Sequence, residues 1–296
     1  EAVHWTSLPK RLLIVGGGVI GCEFACMMQS FGTDITIVEM LPHLLATLDN
    51  DLGAELRKIF EARGITCHLD TKVEDMQLAN GGVTVQLSSG DRLEFDRVLV
   101  ATGRKPVTQS LDLARAGISA DGRGFIGVND QLETNVPNHY CIGDSNGISM
   151  LAHAASAQGV AAAENALKEK SPWQAAIPSA VYTFPEVASV GMTQQEANQA
   201  GLPIAVGRFP LGHLGKAMAT RHTEGFVKMI RHRETGRLLG AHMIGAEVTE
   251  MIQGFVVGKT LETTEAELMQ TVFPHPTISE SMHESVLASY GRALHI

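Results

Sequence analysis

Arg11-Leu12-Leu13-Ile14-Val15-Gly16-Gly17-Gly18-Val19-Ile20-Gly21 decides how this chain is read. Five residues rich in Leu, Ile and Val form a short strand signal. The next six satisfy Gly-x-Gly-x-x-Gly, and a helical stretch follows from about Val19 to Phe31, stopped by Gly32. In that setting each glycine has a task. Gly16 permits the tight turn, Gly18 lets a pyrophosphate approach the backbone, and Gly21 lets helix and strand pack closely. The helix N-terminus offers free N–H groups and partial positive charge to phosphates. Candidate dinucleotide-binding residues are therefore Gly16, Gly17, Gly18, Val19, Ile20 and Gly21.

Outward from the glycines the order continues. Asp34–Glu39 alternates and is β-branched, a second strand. A helix over Asp49–Arg63 starts behind an Asp cap and ends at Gly64, and Thr66–Leu69 is a third strand. This β-α-β-α-β order implies a parallel sheet with right-handed crossovers. Glu39 stands eighteen residues past Gly21, at the end of the second strand, where its carboxylate can accept both ribose hydroxyls of NAD. A 2′-phosphate beside it would be repelled, and Met40-Leu41-Pro42 supplies no base, so NAD is expected over NADP. Plain turn glycines are the competing reading; the strand, helix and acid in place weigh against it.

Beyond this unit the character changes. Val73–Leu78 and Val83–Leu87 flank Asn80-Gly81-Gly82, a hairpin signal, and Arg97–Ala101 reads as one more buried strand before Thr102-Gly103-Arg104. The pattern is looser from Lys105 on. It holds a strand-to-loop signal at Tyr140–Asp144, an Ala-rich helix over Leu151–Leu167 and a boundary at Lys168–Pro172. The last stretch is mixed. Strands are expected at Ala180–Thr183 and Ser189–Gly191, a hairpin of Phe226–Arg231 with Leu238–Ile244, and helices at Glu247–Gly258, Thr264–Thr271 and Ser279–Tyr290. Three segments result: 1–104, 105–172 and 173–296.

Composition narrows the function classes. With 296 residues, 44% hydrophobic and 19% charged, the chain can bury a large core, which excludes disorder. The longest apolar run, Leu12 to Gly21, ends at Glu23, short of the roughly 18–20 residues of a membrane span. A net charge of −9 with no basic stripe argues against nucleic acid. Four cysteines fit a reducing compartment, the cytoplasm, and Cys22 with Cys26 read as packing residues of the first helix rather than a metal or redox pair. Beginning at Glu1 and entering a strand within ten residues, the chain reads as a piece of a longer one.

Further motifs carry a resemblance. They are Gly16–Glu23, Ala101-Thr102-Gly103-Arg104-Lys105-Pro106, Ile142-Gly143-Asp144 followed by Met150-Leu151-Ala152-His153, Tyr182-Thr183-Phe184-Pro185-Glu186, and His275-Pro276-Thr277-Ile278-Ser279-Glu280. With them the chain resembles the flavoprotein disulfide reductases, most closely their dihydrolipoyl dehydrogenase branch, from about Ser7 onward. The resemblance implies an α/β NAD-binding Rossmann domain, a returning segment of an FAD domain, and an α+β C-terminal dimerisation domain. It implies that Glu39, Val73 and Gly103 contact NAD, with Arg104 in the same motif, and that Glu23 meets the nicotinamide end. Asp144 would hold the flavin ribityl hydroxyls, Met150, Leu151, Ala152 and His153 would line the isoalloxazine, and His275 would be the catalytic base with Glu280 its partner. It further implies a homodimer serving a lipoyl-carrying acyltransferase or lipoyl carrier protein.

The chain departs from the family in having no first, FAD-binding glycine motif and no Cys-x-x-x-x-Cys disulfide. Turnover by this chain alone is therefore not expected. Pro276, directly after His275, suits the first position of a helix. The dipole there would oppose protonation while Glu280 favours it, giving a neutral base near pH 7. His213 is read as non-catalytic. The ending Ala293-Leu294-His295-Ile296 lacks the cysteine pair of mercuric reductases, and Glu39 with Met40 stands where glutathione reductases place arginines. A soluble transhydrogenase and a non-catalytic NAD-binding dimerisation module remain alternatives, which flavin absorbance of the protein would separate from a reductase.

Overall fold

The computed structural model describes residues 2–79, 81–167 and 170–296. Asn80 of the expected hairpin turn, and Lys168 and Glu169 of the expected boundary, lie outside the described residues. Residues 1–103 and 178–296 form one compact unit and 104–177 a second.

In the first unit, β1 (Arg11–Val15), α1 (Val19–Ser30), β2 (Asp34–Val38), α2 (Asn50–Ala62) and β3 (Thr66–His68) follow the expected order. Helix ends obey local rules: α1 stops before Gly32 and α2 before Gly64, both at positive φ. Asp49 caps α2 by accepting the Asp51 N–H at 3.2 Å. Next come β4 (Val73–Ala79), β5 (Gly82–Leu87), β6 (Arg92–Phe95) and β7 (Arg97–Val100). The parallel sheet has order β3-β2-β1-β7, and β4-β5-β6 is a separate antiparallel meander. Alternation along β1 serves both layers. Leu12 and Ile14 join the core with α1 and α2, whereas Leu13 joins Val38, Val85, Leu87 and Phe95 under the meander. The strand at Arg97 is not the buried one expected: β7 is a sheet edge, and Val100 is 60% exposed. The β6 strand was not foreseen, because Arg92-Leu93-Glu94-Phe95 exposes its polar alternates and looks like a turn.

The C-terminal part adds β8 (Ser179–Val181), β9 (Glu186–Gly191), α4 (Gln194–Gln199), β10 (Ile204–Pro210), α5 (Gly215–Thr220), β11 (Phe226–His232), β12 (Leu238–Gly245), α6 (Val248–Thr260), α7 (Glu265–Gln270) and α8 (Glu280–Ala288), numbering the intervening helix Ala152–Leu167 of the second unit α3. Its sheet is antiparallel, β10-β11-β12-β9-β8. Helices α6 and α8 pack on this sheet, which also meets α2. Val181, Val187, Phe226 and Ile244 enter the same core as Leu12, Ile14 and Phe60, so the nucleotide-type half and the C-terminal sheet share apolar burial.

A polar row crosses this sheet. Arg208 pairs with Lys228, Lys228 with His242, and His242 with Ser189 in register. His242 is fully buried, its Nδ1 2.7 Å from Ser189 Oγ and its Nε2 2.9 Å from the Met192 carbonyl. A carbonyl only accepts, so Nε2 carries the proton and Nδ1 accepts from the serine hydroxyl. Burial pushes the imidazole pKa down, against the pull of Asp49. In the unfolded chain the ring takes a proton below its ordinary 6.5 while the native ring stays neutral, so stability falls as pH drops. His242 should contribute up to about 1.4 kcal/mol per pH unit between pH 6.5 and the lowered native value. Denaturant melts at several pH values should show a steeper acid loss in wild type than in His242→Gln; parallel slopes would contradict this.

The second unit is mostly irregular around α3. The strand-to-loop signal over Tyr140–Asp144 yields a single bridge, Glu133 with Tyr140, leading into a 3-10 turn over Gly143–Asn146. The bridge is backed by the Cys141 N–H donating to the Leu132 carbonyl at 3.1 Å, and side chains hold the rest of the segment. Gly143 N–H donates to Gln158 Oε1 at 2.7 Å, and Asn146 Nδ2 donates to the Cys141 carbonyl at 3.1 Å. Among the described residues no helix is long and apolar enough to cross a membrane.

Candidate functional site

The expected site residues fall into three clusters. The first surrounds the glycine turn between β1 and α1. Gly16 has φ +111°, and a Cβ there would lie 2.5 Å from the Ala101 carbonyl oxygen. A Cβ on Gly21 would lie 1.9 Å from the Gly16 carbonyl oxygen, so helix and turn touch backbone to backbone. Gly18 differs: it has ordinary extended backbone, and a Cβ there would meet nothing within 4 Å. Its open side faces away from the protein. No side chain caps α1, so the helix start at Val19 and Ile20 keeps its dipole for a ligand. Glu39 reaches this turn, with Oε2 accepting the Gly17 N–H at 2.6 Å and Oε1 the Leu41 N–H at 2.9 Å. These are the features a dinucleotide pyrophosphate and ribose require, and the residues fit that group.

Other residues expected near this cluster are spread around it. Val73 packs at the edge of the core beneath the meander, and Gly103 sits just past β7 at φ +121°. Glu23 on α1 accepts the Tyr182 N–H at 2.8 Å, tying the helix to the residue after β8. Cys22 is fully buried and Sγ lies 3.3 Å from the Gly17 carbonyl, as a packing residue would. Cys26 is only half-buried and meets the backbone of Phe184 rather than the sheet, accepting its N–H at 3.1 Å. Burial raises both thiols, Cys22 strongly, and holds Cys67 at about 12, so none of the three is a thiolate at neutral pH. Among the described residues no group of three or more His, Cys, Asp or Glu could hold a metal ion.

The second cluster lies within the second unit. Arg104 Nη1 is 3.1 Å from Asp144 Oδ2, and both border a cleft of about 450 Å³ with Lys105, Pro106, Phe125 and Met150. Leu151 precedes α3, whose first residues are Ala152 and His153, both exposed. Gln158 and Asn146, not anticipated from the sequence, hold the turn carrying Asp144 from below. The cleft suits part of a flavin's polar chain, with Asp144 as acceptor for hydroxyls and Arg104 as its counter-ion.

The third cluster is the dyad. His275 Nδ1 lies 2.9 Å from Glu280 Oε1, and Glu280 Oε2 accepts the Thr277 N–H at 2.8 Å. The His275 side chain is 76% exposed and that of Glu280 only 20%. Burial works against the charge on Glu280, but the Thr277 N–H and the His275 imidazole outweigh it and keep the carboxyl below its ordinary range. A charged carboxylate only accepts, so Nδ1 carries a proton, and in the neutral tautomer this leaves the lone pair on Nε2. Pro276 does not take the first helical position expected of it. Helix α8 begins at Glu280, with Ser279 before it, and Pro276 belongs to a preceding turn closed by Thr277 Oγ1 donating to the Pro274 carbonyl at 2.7 Å. The imidazole is oriented by Glu280 at the first helical position and not by a helix dipole of its own. Helix α8 is itself seated on β10, where a Cβ on Gly207 would lie 1.8 Å from the Ser285 carbonyl oxygen.

Residues 1–159 match the family model described as pyridine nucleotide-disulphide oxidoreductase, and residues 177–286 match its dimerisation domain. A dihydrolipoyl dehydrogenase of Zymomonas mobilis is 45% identical over 307 residues, covering 100% of this chain and 65% of that protein. One from Rhizobium etli is 42% identical, covering 99% and 62%. The chain thus spans somewhat less than two thirds of these relatives. Among solved structures, LpdA from Mycobacterium tuberculosis superposes with a TM-score of 0.88 at 29% identity, covering 95% of this chain and 62% of that one. The HOCl-induced flavoprotein disulfide reductase RclA from Escherichia coli does so with 0.89 at 30%, covering 96% and 66%. With its parallel glycine-turn sheet, its antiparallel C-terminal sheet and both family models matched along its length, the chain belongs to the pyridine nucleotide-disulphide oxidoreductase family.

Proposed function

We propose that this chain supplies the NAD-binding and proton-handling parts of a dihydrolipoyl dehydrogenase, which oxidises the dihydrolipoamide of a lipoyl carrier. The observation that carries the reading is the dyad: an exposed imidazole held through Nδ1 by a charged, mostly buried carboxylate. In this arrangement Nε2 takes the proton of an arriving thiol, and Glu280 stabilises the imidazolium that forms. The thiolate so made is the effective nucleophile toward a disulfide, which explains why a base is needed. When bound, flavin and nicotinamide supply the two-electron acceptor chemistry that the residues of this chain lack. Gly16 to Gly21 would hold the NAD pyrophosphate and Glu39 its ribose hydroxyls; Arg104, Asp144 and Met150 to His153 would serve the flavin.

In the same reading 1–104 is the nucleotide segment, 105–172 the returning flavin segment and 173–296 the dimer segment. Val257, Leu261 and Val272 are 49%, 70% and 92% exposed, apolar surface that a second copy would cover. A base so exposed also suits service to a neighbouring subunit.

The nucleotide assignment is tested by titration. NADH is expected to bind more tightly than NADPH, because the Glu39 carboxylate accepts from ribose hydroxyls and repels a 2′-phosphate. Glu39→Arg should narrow or reverse the preference. Equal affinities in wild type, by fluorescence, would count against the assignment.

A further inference from the structure

Lys228, on the C-terminal sheet, is 1% exposed and carries its ammonium to the nucleotide half. Its Nζ lies 2.8 Å from Asp49 Oδ1 and 2.8 Å from Asp51 Oδ2. Asp49 is fully buried and has a second anchor, accepting the Gln194 N–H at 2.9 Å through Oδ2. Burial alone would raise this carboxyl, yet Lys228 and the Gln194 N–H hold it below its ordinary range. One charged group therefore caps α2 and ties it to β11 and to the start of α4.

The segment between Glu39 and Asp49 connects that anchor to the glycine turn. Leu44 and Leu45, each 1% exposed, fix its middle in the core, and the Leu45 N–H donates to the Gly17 carbonyl at 2.8 Å. Gly17 in turn gives its own N–H to Glu39 Oε2. Both ends of the segment are thus set, one by the Glu39 carboxylate and the other by the Asp49 carboxylate.

We infer that Lys228 is a positioning residue for the nucleotide site: by holding Asp49 it fixes the start of α2 and, through residues 40–48, the Gly17–Glu39 contact that aims the ribose-binding carboxylate. The inference rests on the reading of the glycine turn as an NAD site. It makes a contact with the C-terminal sheet part of the nucleotide specificity, although no atom of Lys228 touches Gly17 or Glu39 in the hydrogen-bond pattern. A second tie between the same two halves is the natural control. Arg63, at the other end of α2, bonds Glu224 and the Phe184 carbonyl without engaging residues 40–48.

The test compares Lys228→Met with Arg63→Leu in the 296-residue chain. Without nucleotide, amide exchange by NMR should show the Leu45 N–H losing protection about tenfold or more in Lys228→Met, beyond any change at β12 amides such as Met243. In Arg63→Leu the Leu45 amide should keep its protection relative to β12. With nucleotide, the ratio of NADH to NADPH affinity should fall severalfold in Lys228→Met and hold in Arg63→Leu. Unchanged protection of Leu45, a uniform loss across β12 and the loop, or an unchanged affinity ratio would each overturn the inference. A wild-type chain that binds neither nucleotide would overturn the NAD reading, while the exchange comparison still decides whether Lys228 holds the loop. Should the single variant fold poorly because it buries an unpaired carboxylate, Lys228→Met with Asp49→Asn removes that charge and answers the same comparison.

Discussion

Turnover of dihydrolipoamide should fall by about 10²–10⁴ when His275 is replaced by Gln in a chimera joining this chain to the part of the Zymomonas relative that it does not span. The size follows from what the substitution removes. His275 Nδ1 is held 2.9 Å from Glu280, so Nε2 is the basic atom, and a glutamine amide in the same place has no proton-accepting nitrogen. Glu280→Gln should cost less, because the imidazole remains and only its orientation and the stabilisation of its cation are lost. The burial of Glu280 and its bond from the Thr277 N–H make the carboxylate a fixed support. Steady-state kinetics with saturating NAD measure both. If His275→Gln keeps more than a tenth of wild-type turnover, another group is the base. The 296-residue chain alone should show no turnover, since it contains no Cys-x-x-x-x-Cys to accept the substrate thiolate.

The two glycines at the start of α1 should both lose NADH affinity on gaining a methyl group, but only one of them should lose stability as well. Gly18→Ala places its Cβ in open space on unstrained backbone, so the fold should lose no more than about 1 kcal/mol, the scale of an N-cap change. NADH affinity should nevertheless drop about a hundredfold, roughly 2.7 kcal/mol, because the methyl occupies the approach of the pyrophosphate. Gly21→Ala places its Cβ 1.9 Å from a backbone oxygen that cannot rotate away. Helix α1 must move off the turn, and both stability and NADH affinity should fall, stability by about 1–3 kcal/mol or more. Thermal melts and fluorescence titration of the two variants read the contrast. Wild-type NADH affinity in Gly18→Ala would mean that no phosphate approaches this turn.

What could be read from the residues in order was whatever short-range physics governs. Glycine conformation, Asp and Gly at helix ends, and the period of apolar residues act within a few positions. They placed β1, α1, β2, α2 and β3 within a residue or so, and the Gly16–Gly21 turn with Glu39 beside it. The His275–Glu280 pair was legible for the same reason, since five residues and one turn bring the groups together. Its helix was not: Pro276 satisfies the rule for a first helical residue, but the side-chain bonds of Thr277 and Glu280 close a separate turn first. Strands fared worst where neighbours decide. Arg92–Phe95 and Ile204–Pro210 become strands because β5 and β11 offer them a ladder, whereas Tyr140–Ile142 has the right residues and meets only one bridge.

By itself the sequence determined the nucleotide-type β-α-β unit, the glycine turn with its acid, and the family to which the motifs belong. Only the tertiary structure decided that 1–103 and 178–296 build one unit with a shared core, and that Lys228 reaches Asp49 across 179 positions. Backbone preferences and turn chemistry are properties of neighbouring residues. The pairing of a buried ammonium with a distant carboxylate depends on how two sheets and a helix are stacked, and no local pattern records that.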